Sequence, residues 1–194
     1  VSVEGELGTI GGAEEDVAAR EIILADPEQA KEFVEKTGVD ALAIAIGTSH
    51  GAYKFDKPPK LAIKLVGKIR KILPETALVM HGSSSVPQNL IRKINKYGGK
   101  MPNARGVPVS EIKKAVKQGI NKINVDTDSR LALTGAVRET FVKKPGEFDP
   151  RHYLGPGREA IKKLLIEKMK AFGTAGNAGR YRGIDLKKAR KVYY

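Results

Sequence analysis

Two short, unbroken apolar runs, ALAIAI at residues 41–46 and ALVM at 77–80, constrain this chain more than any other feature. Neither alternates with polar residues, so each reads as a strand buried on both faces. Both end abruptly in small and polar residues, GTSHG and HGSSS. An amphipathic stretch of helical period follows each of them. A chain written this way folds as alternating strands and helices around a parallel sheet.

The rest of the sequence repeats the theme. Residues 1–7 alternate apolar and polar positions like a strand and lead into a Gly-rich turn, residues 8–12, and the acidic run Glu14-Glu15-Asp16. Asp26-Pro27-Glu28 starts a helix, with Asp as N-cap and Pro in the first turn, and Gly38 stops it. Further helices are expected over 60–73, from Pro87 to about Tyr97, from Ser110 to Gly119, over 131–143 and over 156–172. A loop spans 98–106. A fourth strand, 120–125, ends in Asp126-Thr127-Asp128.

Four strand-helix units are half of an eight-stranded barrel, which takes about 250 residues. The reading therefore expects a preceding portion of roughly a hundred residues or more that carries the other strands. Without it, two parallel edges would stand open. In barrels and in open α/β sheets alike, sites assemble at the C-terminal ends of the strands.

Composition limits the alternatives. With 194 residues, 41% of them hydrophobic, the chain can bury a core. It has no Cys, which removes disulfide frameworks, thiolate catalysis and Cys-based zinc sites. No run approaches the roughly 20 apolar residues of a membrane span. The first charges are acidic, unlike a signal peptide, so a cytoplasmic protein with no membrane partner is expected. The net charge of +13 favours polyanionic partners, whether nucleic acid, a membrane surface or phosphorylated substrates. The basic residues lie mostly on amphipathic stretches, 60–71 and 162–170, and read as solvated faces. Aromatics are only 6%, and no nucleic-acid motif is present, so nucleic acid is not the expected partner.

The residues able to do chemistry fall at the strand ends. His50 and His81 each follow a buried strand and precede a Gly. Neighbouring parallel strands would bring both imidazoles to one pocket, with Glu6 at a third strand end. Such donors suit zinc, at about 2.0–2.1 Å for imidazole nitrogen. They equally describe two hydrogen-bonded histidines in a polar cleft. His152, after Pro150, reads as structural or exposed. The small-residue loop His81-Gly82-Ser83-Ser84-Ser85 feeding the Pro87 helix offers backbone N–H groups to an anion. Asn124-Val125-Asp126-Thr127-Asp128 is a second anion candidate, and Lys54 could supply a cation. Each cluster also reads as an ordinary turn. Glu14 and Glu15, on a Gly-flanked segment, read as a general base on a closing loop or as a solvated acidic turn.

Together the stretches VEGELGTIGGAEEDV, AIAIGTSHGAYK, LVMHGSSSVP, GINKINVDTDSRLA and EFDPRHYLGPGREA resemble the class II, metal-dependent fructose-bisphosphate aldolases. They occur in family order over residues 1 to about 173 and correspond to the C-terminal half of that family's TIM (β/α)8 barrel. The tail, 174–194, runs past the usual family end, and its 185–193 portion reads as a short basic helix.

The resemblance implies roles. His50 and His81 would be two ligands of a catalytic zinc, the third His and a catalytic Asp lying in the preceding half. Glu6 is similar to a residue that holds zinc in an alternative or second position. Glu14 aligns with the mobile-loop Glu that removes the proton next to the carbonyl, with Glu15 as the fallback. Gly51, Lys54, Gly82, Ser83 and Ser84 resemble the set binding one phosphate and the ketone end. Asn124, Val125, Asp126 and Thr127 resemble the dihydroxyacetone-phosphate contacts. Arg151 resembles an Arg reaching the distal phosphate in a neighbouring subunit, which implies a homodimer or homotetramer. A monovalent cation beside zinc is left open.

The implied reaction is reversible cleavage of fructose 1,6-bisphosphate into dihydroxyacetone phosphate and glyceraldehyde 3-phosphate through a zinc-stabilised enediolate, with no Schiff-base Lys. Tagatose-bisphosphate aldolases of the same superfamily tend to read NVATE where this chain has NVDTD, which favours fructose. A non-catalytic basic binding fragment is the alternative of another class.

Overall fold

The computed structural model describes residues 1–14, 17–19, 22–53, 55 and 59–180. Glu15, Lys54 and the basic helix expected at 185–193 lie outside the described residues.

Four parallel strands form one sheet: β1 (Glu4–Leu7), β4 (Ala41–Ile44), β5 (Ala77–Met80) and β6 (Ile120–Ile123), side by side in that order. Between β1 and β4 lie an antiparallel pair, β2 (Gly12–Glu14) with β3 (Val17–Ala19), and helix α1 (Pro27–Thr37). Helix α2 (Ile63–Ile72) joins β4 to β5, and α3 (Gln88–Lys96) and α4 (Val109–Gln118) join β5 to β6. Helices α5 (Thr127–Lys143) and α6 (Pro150–Phe172) follow, packed along each other.

The two-sided burial of the strands explains their composition. Leu42, Ile44, Ile46, Leu78, Met80 and Ile120 interdigitate with Ala30, Val66, Ile69, Ile112 and Ala115 from the helices. The other face of β4 carries only alanines, and Ala43 and Ala45 are fully buried. Asp26 caps α1 by accepting from the N–H groups of Glu28 and Gln29, both at 3.0 Å, and Gly38 ends it in the left-handed conformation.

Several boundaries depart from the sequence reading. The first strand begins at Glu4, not Val1, β5 keeps its expected bounds, and β4 and β6 stop two residues early. The segment read as a turn and acidic run forms the β2–β3 pair. Helix α2 starts at Ile63, without a side-chain cap. Helix α4 starts at Val109, because Pro108 rather than Ser110 occupies the N-cap. Helix α5 begins four residues early, at Thr127. Helix α6 begins at Pro150, capped by Asp149 through the Arg151 N–H at 2.9 Å, so Pro156 lies inside the helix.

Candidate functional site at the strand ends

The turns that leave β1, β4 and β5 interlock. The His50 N–H donates to the Gly11 carbonyl at 2.8 Å. A Cβ on Gly12 would sit 2.7 Å from the His50 carbonyl oxygen, and one on Gly82 only 2.8 Å from that of Ser49. Those turns can close on each other only because both positions lack a side chain. Gly82 has a φ of +61°, which also favours glycine. The turn after β6 joins through the Asn124 N–H, which donates to the Met80 carbonyl at 3.1 Å. His50 and His81 therefore stand on adjacent turns, each next to the Ser49–Gly82 backbone contact. Gly51 follows on the exposed outer side.

Behind the mouth, the strand face opposite the helices carries a polar cluster. His81 Nδ1 is 2.5 Å from Glu6 Oε2, and His81 Nε2 is 2.8 Å from Glu4 Oε1. The second oxygen of Glu4 accepts from Lys122 Nζ at 2.7 Å. Glu4 is on β1 and Lys122 on β6, with two strands between them. On a flat sheet three strand spacings amount to roughly 14 Å, beyond what these two side chains bridge side by side. The contact requires a sheet curled toward this face, as in a barrel wall, and the small Ala41 and Ala43 on β4 keep the space clear. Burial acts to raise the Glu4 carboxyl, but the Lys122 ammonium and the His81 ring outweigh it and hold that carboxyl below the usual range.

The Ser loop is fixed from beneath. Ser83 is fully buried, and its hydroxyl donates to the Met80 carbonyl at 3.0 Å. Ser84 is also buried, and its carbonyl accepts from the Val107 N–H at 3.0 Å. The Asp128 carboxylate, wholly withdrawn from water, accepts from the N–H groups of Ser85 at 2.9 Å and Val86 at 2.8 Å. Lys168 Nζ, from α6, lies 2.6 Å from the same carboxylate and donates to the Ser85 hydroxyl at 2.5 Å. The buried Thr48 hydroxyl has no partner among the described residues.

Other expected site residues are placed as follows. Asn124, Val125 and Asp126 form the turn after β6, and Thr127 opens α5. The Asp126 carboxylate pairs with Arg130 at 2.7 Å, so it is neither a helix cap nor buried. Arg151 lies in the first turn of α6, 87% exposed, with its guanidinium on Asp149 at 2.6 Å. That guanidinium and the Arg151 N–H hold the Asp149 carboxyl below its usual range. Glu14 ends β2, opposite Val17. His152, in the same first turn, contacts Glu147 at 3.2 Å and is exposed.

The structure thus brings His81, Glu6, the Ser83–Ser84 loop and the His50 turn together, and leaves Arg151 outside the cluster. Sequence reasoning missed Glu4, Lys122 and Lys168, and it read Asp128 as part of an anion-binding turn, whereas its buried carboxylate braces the serine loop. Glu4 was legible, because strand alternation places it on the face of Glu6. Among the described residues no group of three His, Asp or Glu side chains is arranged to hold a metal. The donor types of His81, Glu6 and His50 nevertheless fit zinc, which takes imidazole and carboxylate.

Parallel strands alternating with helices, polar groups at their C-terminal ends and a curled inner face define part of an α/β barrel with its site at the mouth. The family description "Fructose-bisphosphate aldolase class-II" matches residues 1–177, and the chain belongs to that family. It is 58% identical, over its whole length, to a fructose-bisphosphate aldolase of Giardia intestinalis, of which it spans 60%. It is 52% identical over 96% of its length to that of Nostoc commune, of which it spans 56%. The chain therefore spans somewhat over half of each of these relatives. Among solved structures, the YdjI aldolase of Escherichia coli K12 superimposes with a TM-score of 0.65 at 33% identity, over 92% of this chain and 52% of that one. An aldolase structure from Coccidioides immitis, at 22% identity and a TM-score of 0.68, shares the fold. Among the described residues, no helix is long and apolar enough to cross a membrane.

Proposed function

We propose that the protein carrying this chain is a zinc-dependent class II fructose-bisphosphate aldolase that interconverts fructose 1,6-bisphosphate with dihydroxyacetone phosphate and glyceraldehyde 3-phosphate. The observation that carries the reading is the pairing of His81 with Glu6 at 2.5 Å directly beneath a buried serine loop at the same strand ends. That arrangement supports a site with metal-type donors next to the loop expected to take an anion through Gly82, Ser83 and Ser84, the N–H groups of Ser85 and Val86 being taken by Asp128, and an aldol reaction of a phosphorylated ketose needs both.

In this reading His50, His81 and, in an alternative position, Glu6 would hold zinc together with donors from outside this chain. Zinc, when bound, supplies a Lewis acid for the substrate's carbonyl and hydroxyl oxygens. Gly51, Lys54, Gly82, Ser83 and Ser84 bind one phosphate and the ketone end. Asn124, Val125, Asp126 and Thr127 orient the dihydroxyacetone-phosphate portion. Glu14 takes a proton from the hydroxymethyl carbon of dihydroxyacetone phosphate. That carbon then bonds to the aldehyde carbon of glyceraldehyde 3-phosphate, whose oxygen takes up a proton, and cleavage is the reverse.

The exposed Arg151, presented on a helix start and braced by Asp149, suits contact with the distal phosphate of a neighbouring subunit in a homodimer or homotetramer. A cytoplasmic location and a monovalent cation beside zinc belong to the same reading.

Steady-state cleavage of fructose 1,6-bisphosphate and of its C4 epimer, tagatose 1,6-bisphosphate, by the complete protein tests the substrate. The expected result is faster cleavage of the fructose substrate. Preference for tagatose, or no cleavage of either, overturns it.

A further inference from the structure

We propose that the groove between α5 and α6 is a binding site for a small molecule that carries more than one phosphate group. The groove holds about 370 Å³ and shares no lining residue with the turns at the strand ends. Four ammonium groups border it: Lys93 from α3, Lys143 and Lys144 from the C-terminal end of α5, and Lys163 from α6. The two helices set this arrangement. Ala136, Glu139, Thr140 and Lys143 recur at three- and four-residue intervals along α5, and His152, Pro156, Ala160 and Lys163 do so along α6, so each set lies on one helix face. Between the long cationic side chains the lining is short, with Ala136, Thr140, Pro156 and Ala160, and this leaves the room that a ligand would fill.

Charge selects the ligand. Glu139 supplies the one carboxylate of the described lining, and both of its oxygens are occupied. Lys143 Nζ lies 2.6 Å from Oε1 and Lys93 Nζ 2.6 Å from Oε2, and the Tyr97 hydroxyl donates to Oε1 at 3.1 Å. Lys144 and Lys163 have no acidic partner among the described residues. Four ammonium groups against one carboxylate leave a surplus of three positive charges, with His152 neutral. A phosphate group carries a charge of about −1.5 to −2, so one alone does not balance this surplus and two do. Ammonium groups on rotatable stems can donate to phosphate oxygens from several sides. No Phe or Tyr side chain lines the groove, so the bases of a nucleic-acid strand would find no stacking platform there. The enclosed volume also suits a small molecule.

The test is isothermal titration calorimetry of the complete protein with 2,3-bisphosphoglycerate at about 0.1 M salt, where exposed charges further apart than a Debye length are screened. Lys163→Ala should weaken binding by about tenfold, as the loss of one charge-assisted hydrogen bond does. The double variant Lys144→Ala, Lys163→Ala should lose one binding event per chain. Any binding at the strand ends should survive in it, because neither lysine belongs to that site. Both lysines are exposed, so an unchanged Tm should show that the double variant remains folded. Glu139→Gln removes the competing carboxylate and frees two ammonium groups, and it should tighten binding. The monophosphate 3-phosphoglycerate should bind at least tenfold more weakly than the bisphosphate, and a short oligoadenylate should not displace it. No binding of the bisphosphate, wild-type binding in the double variant, equal binding of the two glycerate phosphates, weaker binding in Glu139→Gln, or displacement by the oligoadenylate overturns the proposal. The aldolase reading is independent of each of these results.

Discussion

Lys168 Nζ lies 2.6 Å from the carboxylate of Asp128, with 9% and 0% of the two side chains exposed. This buried pair ties α6 and α5 to the serine loop. It also explains how Val86, a β-branched residue, is held at a φ of +49°, where its N–H reaches Asp128 at 2.8 Å. Such a conformation costs on the order of 1–3 kcal/mol and persists only where neighbours enforce it. Removing one member of a buried pair strands the other charge. Lys168→Met should therefore destabilise the protein by about 3 kcal/mol in urea unfolding. The double variant Asp128→Asn, Lys168→Met should lose clearly less than the two single losses added together. A Lys168→Met protein as stable as wild type would show that the ammonium does not support the loop.

Gly82 gives a sharper test of how the strand-end turns fit. With φ at +61° and a Cβ that would stand 2.8 Å from a backbone oxygen, alanine there faces both conformational strain and a rigid obstacle. Gly51 has a φ of +85° but open space around its Cβ. Gly51→Ala should cost about 1–2 kcal/mol from strain alone. Gly82→Ala should cost more than that and also raise KM for the bisphosphate. Equal stability losses in the two variants, measured by chemical unfolding, would mean that the turns are not closely packed.

Much of the scaffold could be read from residue pattern. The runs at Ala41–Ile44 and Ala77–Met80 became the two central strands, and Asp26-Pro27 and Gly38 bound α1 as capping chemistry requires. The β2–β3 pair escaped because neither GAE nor VAA alternates, and no Asn-Gly or Asp-Gly stands between them in the sequence. The starts of α5 and α6 were missed for opposite reasons. Asp126-Thr127-Asp128 looks like a polar site loop, although Thr127 and Asp128 already form helix. Pro156 looks like a first helical residue, although Asp149-Pro150 had already supplied a better one. Within the site, His50, His81 and the serine loop follow from their positions after strands, and Glu6 from its place near the end of one. Lys122 and Lys168 do not. A one-residue bulge reverses the face of the first, and the second sits in a basic stretch that reads as solvated yet is 7% exposed.

Away from the site, Glu139 predicts an acid-sensitive contribution to stability. Hydrogen bonds from Lys143 and then Lys93 lower its carboxyl to about 2, against an opposing effect of burial. Because the folded value lies below the unfolded one, the carboxylate stabilises the fold above about pH 4.5 and that contribution fades as the pH falls toward 2. Solvent screening keeps it small. Glu139→Gln should lower stability by about 0.5–1 kcal/mol at pH 7. The gap in Tm between the two proteins should close between pH 4.5 and 2. A gap that stays constant across that range would mean that the two lysines do not hold the charge.

In the proposed function, this chain contributes metal donors and a phosphate-binding loop to a zinc aldolase. The most direct test is the rate of fructose 1,6-bisphosphate cleavage by the complete protein before zinc removal with a chelator, after it, and after zinc is restored. Activity should disappear with the metal, return with zinc, and stay absent in His81→Ala. Undiminished cleavage by fully zinc-free protein would contradict the proposed function.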